Sequence, residues 1–314
     1  MLVQASRRIS YLLALFIPLM ACGKKELDAE QLDALYRAPL HPQSTGLNVY
    51  HLGHSLVNQD MPKMVQKIAG TGHDYRSQLG WGVSLKQHWE PMIPINGFKS
   101  ENNHAHFQAV EAAIASANYD AFVLTEMVEI KDAIEHHQSA KYLAKYVDAI
   151  RATHSGVPIY LYETWHNIDD KEGWLIRLER DLGLYWESAI IDKAIALSKD
   201  QKPIYVIPVG QVMLALFNDI RNNGPIGKIT EPKDLFKVKA DGSQDTIHLN
   251  ATGNFISALT HYSVLYRLNP EALDCNTGYI IGSSENHLDE QACKRVQAIV
   301  WRVVSQNSRT GFGL

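Results

Sequence analysis

The sequence has no block of basic residues, no low-complexity run and no internal repeat. Lys and Arg total 30 against 34 Asp and Glu, a formal net charge of -4, so no electrostatic footprint for nucleic acid is expected. No stretch rich in glycine, proline or serine divides the chain beyond residue 44, which points to a single domain over 45–314. Cysteines number three, and the 14 histidines are scattered. His104 and His106 have no carboxylate or cysteine beside them at ligand spacing, and read as helix surface. His136 and His137 point to different sides of a helix and cannot chelate as a pair. Neither a metal nor another cofactor is expected. What is present is apolar content of 46% in 314 residues, enough for one large core.

Arg7 and Arg8 precede an apolar run over 9–20 that is too short to span a bilayer as a mature helix and fits the core of a signal peptide. The run ends at Leu19-Met20-Ala21-Cys22, which resembles the bacterial lipobox, whose cysteine is diacylated and becomes the new N-terminus. The expectation is a signal peptide over 1–22, lipidation at Cys22 and an exported protein held in the envelope by a lipid anchor, facing the periplasm. An ordinary signal peptide with a chance cysteine is the alternative. Gly23 stands where an aspartate would resemble an inner-membrane retention signal, which favours the outer membrane. Residues 23–44 are polar without a clear period and read as a flexible tether. With Cys22 lipidated, Cys275 and Cys293 remain; in an oxidising compartment they can pair, and two free thiols are the alternative.

Short apolar runs bounded by turn residues suggest strands near 48–52, 75–79, 120–124, 158–162 and 203–207. Helical patterns lie near 61–69, 104–117, 136–153, 211–220, 252–268 and 291–304, with a charged amphipathic region over 171–199. Strands alternating with helices imply α/β: a three-layer α/β/α sandwich around a parallel sheet of about five strands, joined by right-handed crossovers.

The first strand ends at Gly53-His54-Ser55-Leu56, and a helical pattern opens just beyond. Strand, tight turn and helix present Ser55 at the carboxyl edge of the sheet, where open α/β folds hold their sites. A serine hydroxyl is a weak nucleophile until an imidazole takes its proton, and the imidazole needs a carboxylate to fix its tautomer. The single Asp-x-x-His of the sequence, Asp245 with His248, offers both partners in what reads as a loop before the last large helices.

Gly-x-Ser-Leu after the first strand, with Asp-x-x-His near the C-terminus, resembles the SGNH (GDSL-type) serine hydrolase family, over about 47–268. Further marks are Gly80-Trp81-Gly82 with Ser84, Leu85 and His88; Glu163-Thr164-Trp165; Ile207-Pro208-Val209-Gly210; and Asp245 through Asn250 with Gly253. The resemblance implies a flavodoxin-like fold and cleavage of carboxylic esters through an acyl-enzyme, without a cofactor. It makes Ser55 the nucleophile, His248 the general base and then acid, and Asp245 the group that holds the ring. The oxyanion would be bound by the backbone N–H of Ser55 and of Gly82, with Gly80 the alternative. Two positions depart from the family pattern. His54 stands where the family name has aspartate, and the third block reads Leu124-Thr125-Glu126-Met127, without the asparagine that completes the oxyanion hole. Glu126 is open to three roles: a contact to a substrate hydroxyl, a protonated carboxyl, or structure. Trp81, Trp89 and Trp165 fall on the expected active face and suit a sugar ring, an acyl chain or packing. The expected substrate is a small-molecule or glycan ester, first an acetyl group on a carbohydrate. A lipolytic esterase and a non-catalytic envelope lipoprotein are the alternatives.

Overall fold

A computed structural model describes residues 27–275, 277–280 and 288–313. The expected signal peptide and its Cys22 lie outside the described residues. Five strands form a parallel sheet: β1 (Asn48–His54), β2 (Asp74–Gly80), β3 (Ala121–Leu124), β4 (Ile159–Glu163) and β5 (Tyr205–Pro208). Their order is β2-β1-β3-β4-β5, the flavodoxin-like order, whose topological switch lies between β1 and β3. The strands are nearly continuous buried runs because both faces of the sheet are covered.

The helices are α1 (Ala29–Leu35), α2 (Asp60–Ala69), α3 (Leu85–Trp89), α4 (Phe98–Glu101), α5 (Val110–Ser116), α6 (Ile130–His137), α7 (Ser139–Thr153), α8 (Trp174–Asp181), α9 (Lys193–Leu197), α10 (Val209–Asn223), α11 (Ala251–Tyr266) and α12 (Glu290–Gln306). A π-helical stretch, Leu182–Asp192, joins α8 to α9. One layer is built from α2, α11, α12 and α10, the other from α3, α5, α7 and α9, giving the α/β/α sandwich. In α2 the buried Met61, Met64, Val65 and Ile68 follow the helical period, and the chain leaves through Gly70 in the left-handed region. Every residue of α11 from Thr252 to Tyr266 is buried, polar ones such as Asn254, Ser257 and His261 included, so this helix lies wholly inside the fold.

Four segments differ from the sequence expectation. Residues 23–44 do not form a free tether where they are described. The Asp28–Gln31 capping box starts α1, Tyr36 is 2% exposed with its hydroxyl donating to Ile204 O (2.9 Å), and Leu40 N–H donates to Gly311 O. The helix expected from 104 begins only at Val110. His106 O accepts from Ser77 N–H and Gln108 N–H donates to Ser77 O, so the segment instead lines the edge of β2, with His106 stacked on Tyr75. The helix expected over 136–153 is broken at Gln138, whose φ of 57° is left-handed. Finally, Asp245 and His248 lie not in a loop but on β7 (Gln244–Leu249), which pairs antiparallel with β6 (Phe236–Val238) across a turn at Asp241-Gly242. Cys275 and Cys293 are joined in a disulfide with Cα atoms 5.9 Å apart, which ties the segment before α12 to that helix.

Candidate active site

β1 runs into a turn that only glycine can enter. A Cβ on Gly53 would lie 2.8 Å from both Thr125 Cβ and Val57 Cγ2. The turn is fixed from beneath by two buried imidazoles. His54 donates from Nε2 to Glu126 O (2.8 Å) and accepts Leu56 N–H at Nδ1. His88 donates from Nε2 to Gly53 O (2.9 Å) and accepts from the Gln78 amide. Burial pushes both rings down to about 4, so they are neutral at pH 7, as their hydrogen bonds require. His54 thus stitches the end of β1 to the end of β3.

Ser55 emerges half-buried above this turn. Its Oγ lies 3.1 Å from His248 Nε2, and His248 Nδ1 lies 3.0 Å from Asp245 Oδ2. The other carboxylate oxygen, Oδ1, accepts the N–H of Ile247 and of His248, each at 2.9 Å. Partial burial works against the charge on Asp245, but these N–H groups and the ring outweigh it and hold the carboxyl down to about 2. An ionised Asp245 accepts the Nδ1 proton, which leaves Nε2 as the acceptor for the Ser55 hydroxyl.

A chain of amides links the Ser55 turn to the strand that carries His248. Asn58, left-handed at φ 47°, accepts the N–H groups of Asp60 and Met61 at Oδ1, an Asx turn that leads into α2. Its Nδ2 donates to Asn254 Oδ1 (2.8 Å), and Asn254 Nδ2 donates to Leu249 O, the residue after His248. Nothing in the sequence singled out Asn58 or Asn254; an asparagine two residues before the helical pattern at Asp60-Met61-Pro62 was the available signal.

Ser55, Asp245 and His248 line a cleft of about 840 Å³ at the switch point between β1 and β3. Gly82 lines it, left-handed at φ 57° with open space beside its Cα, whereas Gly80 is buried in β2 against Ile95. Of the two oxyanion candidates, Gly82 is therefore the one in the cleft. Trp81 also lines the cleft and is 53% exposed. One side of its ring is backed by Gly97, where a Cβ would lie 2.3 Å away, and its Nε1 donates to Glu101 Oε1 (2.6 Å). Asn167 and Lys237 add a polar rim that sequence reasoning did not reach. Asn167 is carried to β7 by the Thr246 hydroxyl, which donates to its Oδ1.

Two expected substrate contacts are not in the cleft. Trp165 is 1% exposed and its Nε1 donates to Ile247 O (2.7 Å), so it supports β7 from behind. Glu126 is fully buried, with Oε1 accepting from Met127 N–H and Leu85 N–H. Trp89 packs edge-on to Tyr146 and does not line the cleft. Among the described residues no group of three or more His, Cys, Asp or Glu is arranged to hold a metal.

The loops that carry Val128 and Asn167 to the cleft are pinned by Arg177, which is 1% exposed. Its guanidinium bonds Glu129 and Asp170 at 2.8 Å and Asp181 at 2.9 Å. Arg177→Ala removes the cation shared by Glu129, Asp170 and Asp181 and leaves the buried Asp181 with the Arg180 cation alone, which is expected to cost about 3 kcal/mol. Thermal unfolding at pH 7 should fall by roughly 5–10 °C. The deficit should shrink as the pH is lowered and the carboxylates become neutral; an unchanged melting temperature would show that the cluster contributes nothing.

No protein family and no curated protein is matched by the sequence. Among solved structures, a DUF4886 family protein from Bacteroides uniformis aligns with a TM-score of 0.50 at 14% identity, over 83% of this chain and 95% of its own. YXIM from Bacillus subtilis aligns at 0.39 and 18% identity, over 69% and 55% of the two chains. The salicylyl-acyltransferase SsfX3 of a tetracycline biosynthetic pathway aligns at 0.35 and 15%, over 69% and 53%. The first of these is a likeness of fold alone, and the overlap with the other two is too slight to imply even that.

Proposed function

We propose that this chain is a serine ester hydrolase of SGNH type that removes small acyl groups, first acetyl, from carbohydrate hydroxyls. The observation that carries the reading is the unbroken relay from Ser55 Oγ through His248 to Asp245 on the floor of an open cleft. In this reading Ser55 Oγ attacks the acyl carbon while its proton passes to His248 Nε2. The negative oxygen of the tetrahedral intermediate is met by the N–H groups of Ser55 and Gly82. His248 then protonates the leaving alcohol. Water attacks the acyl-enzyme with His248 again as base, releasing the carboxylic acid and free Ser55. The cleft favours a sugar over an acyl chain: Trp81 offers a fixed, exposed ring face, and Gln59, Asp60, Asn167 and Lys237 offer hydrogen-bonding groups around it. A lipid anchor at Cys22 and a periplasm-facing site belong to the same proposal, since glycans occur in the envelope.

The test is a series of esters of rising acyl length beside acetylated oligosaccharides, with wild type and Trp81→Ala. The expected result is a kcat/KM that falls beyond short acyl chains. Trp81→Ala should raise KM for the oligosaccharide by about tenfold, the worth of one aromatic contact, and leave a small acetyl ester almost unaffected. Activity that climbs with chain length would replace this reading with a lipolytic one.

A further inference from the structure

Glu126 stands at the carboxyl end of β3, at the switch point, and its backbone carbonyl and Oε1 both bond elements around Ser55. Its carbonyl oxygen accepts His54 Nε2–H at 2.8 Å, and His54 is the residue immediately before the nucleophile. Its Oε1 accepts Leu85 N–H at 3.2 Å, and Leu85 is the first residue of α3, three residues after Gly82. The same oxygen accepts Met127 N–H at 2.8 Å, which fixes the rotamer of the side chain against its own backbone. Ser84 caps α3 through Gln87 and bonds His137, and His88 near the end of α3 donates to Gly53 O, so Glu126 is the group that holds the first residue of α3, next to the Gly82 segment, to the end of β3.

We infer that Glu126 is a positioning residue for the oxyanion hole, one residue that fixes the Ser55 and Gly82 backbone N–H groups relative to each other. The inference rests on the ester-hydrolase reading above and extends it to a group that touches no substrate. The two donors belong to segments far apart in sequence, and Glu126 ties the first through its backbone and the second through its side chain. An oxyanion donor acts only when it lies at hydrogen-bond distance from where the charge develops, so a loop that drifts by a fraction of an ångström loses rate without losing substrate binding.

The chemistry of the side chain fits this work. The role asks only for an acceptor at Oε1, not for a charge. The buried Ser139 hydroxyl stands beside the carboxyl and favours its charged form, although neither Oε2 nor that hydroxyl completes a hydrogen bond of full geometry among the described residues. Burial raises the carboxyl to about 7, against the Met127 N–H, the Ser139 hydroxyl and the Leu85 N–H, so a neutral acceptor serves as well as a carboxylate. Glutamine keeps that oxygen in place and adds an amide donor toward Ser139, whereas alanine leaves two buried N–H groups without an acceptor.

The test measures kcat and KM on a small acetyl ester for wild type, Glu126→Ala, Glu126→Gln, Glu126→Asp and Ser55→Ala. Glu126→Ala is expected to lower kcat by about 10- to 100-fold with KM changed less than about threefold, a fraction of what loss of a whole donor removes. Glu126→Gln should return kcat to within about threefold of wild type. Glu126→Asp, which keeps the carboxyl but withdraws it by one methylene, should resemble Ala; it carries the test if the alanine variant does not fold. A folded alanine or aspartate variant with wild-type kcat, or a glutamine variant no better than alanine, overturns the inference while Ser55-dependent activity still stands. Equal rates for wild type and Ser55→Ala overturn the hydrolase reading and the inference with it.

Discussion

Ser55→Ala is expected to lower kcat on an acetyl ester by about 10⁴- to 10⁶-fold, the range found when a serine nucleophile is removed from a working triad. The rest of the site survives the change. His248 keeps its bond to Asp245, the backbone N–H of residue 55 remains, and the turn is still held from below by His54 and His88. Substrate binding should therefore persist, and the loss should fall on kcat while KM moves little. Stability should change by no more than about 0.5 kcal/mol, because the lost hydroxyl is half-buried and bonds only an imidazole that is itself open to the cleft. Initial rates and a melting curve on the same preparation check both halves. A variant that keeps more than a hundredth of the wild-type rate would place the nucleophile elsewhere.

The parts of the site that were legible in the sequence are those fixed by local pattern. The apolar run into Gly53 marks β1 and its turn, and the lone Asp-x-x-His marks Asp245 and His248, although 193 residues separate Ser55 from His248. The parallel sheet follows from strands alternating with helices. What escaped was decided by distant partners. Glu126 is indistinguishable from a surface glutamate until α3 closes over the end of β3, and Trp165 until β7 is laid across it. The tether becomes part of the fold because Tyr36 finds Ile204, 168 residues away. One miss was avoidable: Asp241-Gly242 is a strong hairpin signal, and Thr246 and Ile247 beyond it are strand formers, so β6 and β7 were there to be read. A hairpin also suits the chemistry better than a loop would. Cross-strand bonds and the Trp165 indole hold the backbone of β7, and an antiparallel ribbon fixes two side chains three residues apart more firmly than an open loop can.

Asp245→Asn should be nearly as damaging as loss of the serine, for a reason that can be followed atom by atom. Asparagine can keep Oδ1 on the N–H groups of Ile247 and His248, which the aspartate holds at 2.9 Å. The amide nitrogen then takes the place of Oδ2 and points a donor at His248 Nδ1. Two donors cannot share that bond, so the neutral ring answers by moving its proton to Nε2. Nε2–H now faces Ser55 as a donor and cannot receive the hydroxyl proton. The expected loss is about 10³- to 10⁴-fold in kcat, with KM nearly unchanged. Stability gives a second, independent readout. The folded carboxyl titrates at about 2 against an ordinary 3.8, so ionised Asp245 stabilises the fold at all pH values above the ordinary range, and that contribution is lost as pH falls toward about 2. The variant should be less stable than wild type by roughly 2 kcal/mol at pH 7, and the two should converge near pH 2. A variant that turned over at more than a tenth of the wild-type rate would remove Asp245 from the relay. A stability difference that did not narrow on acidification would mean that the aspartate is held by packing and not by its charge.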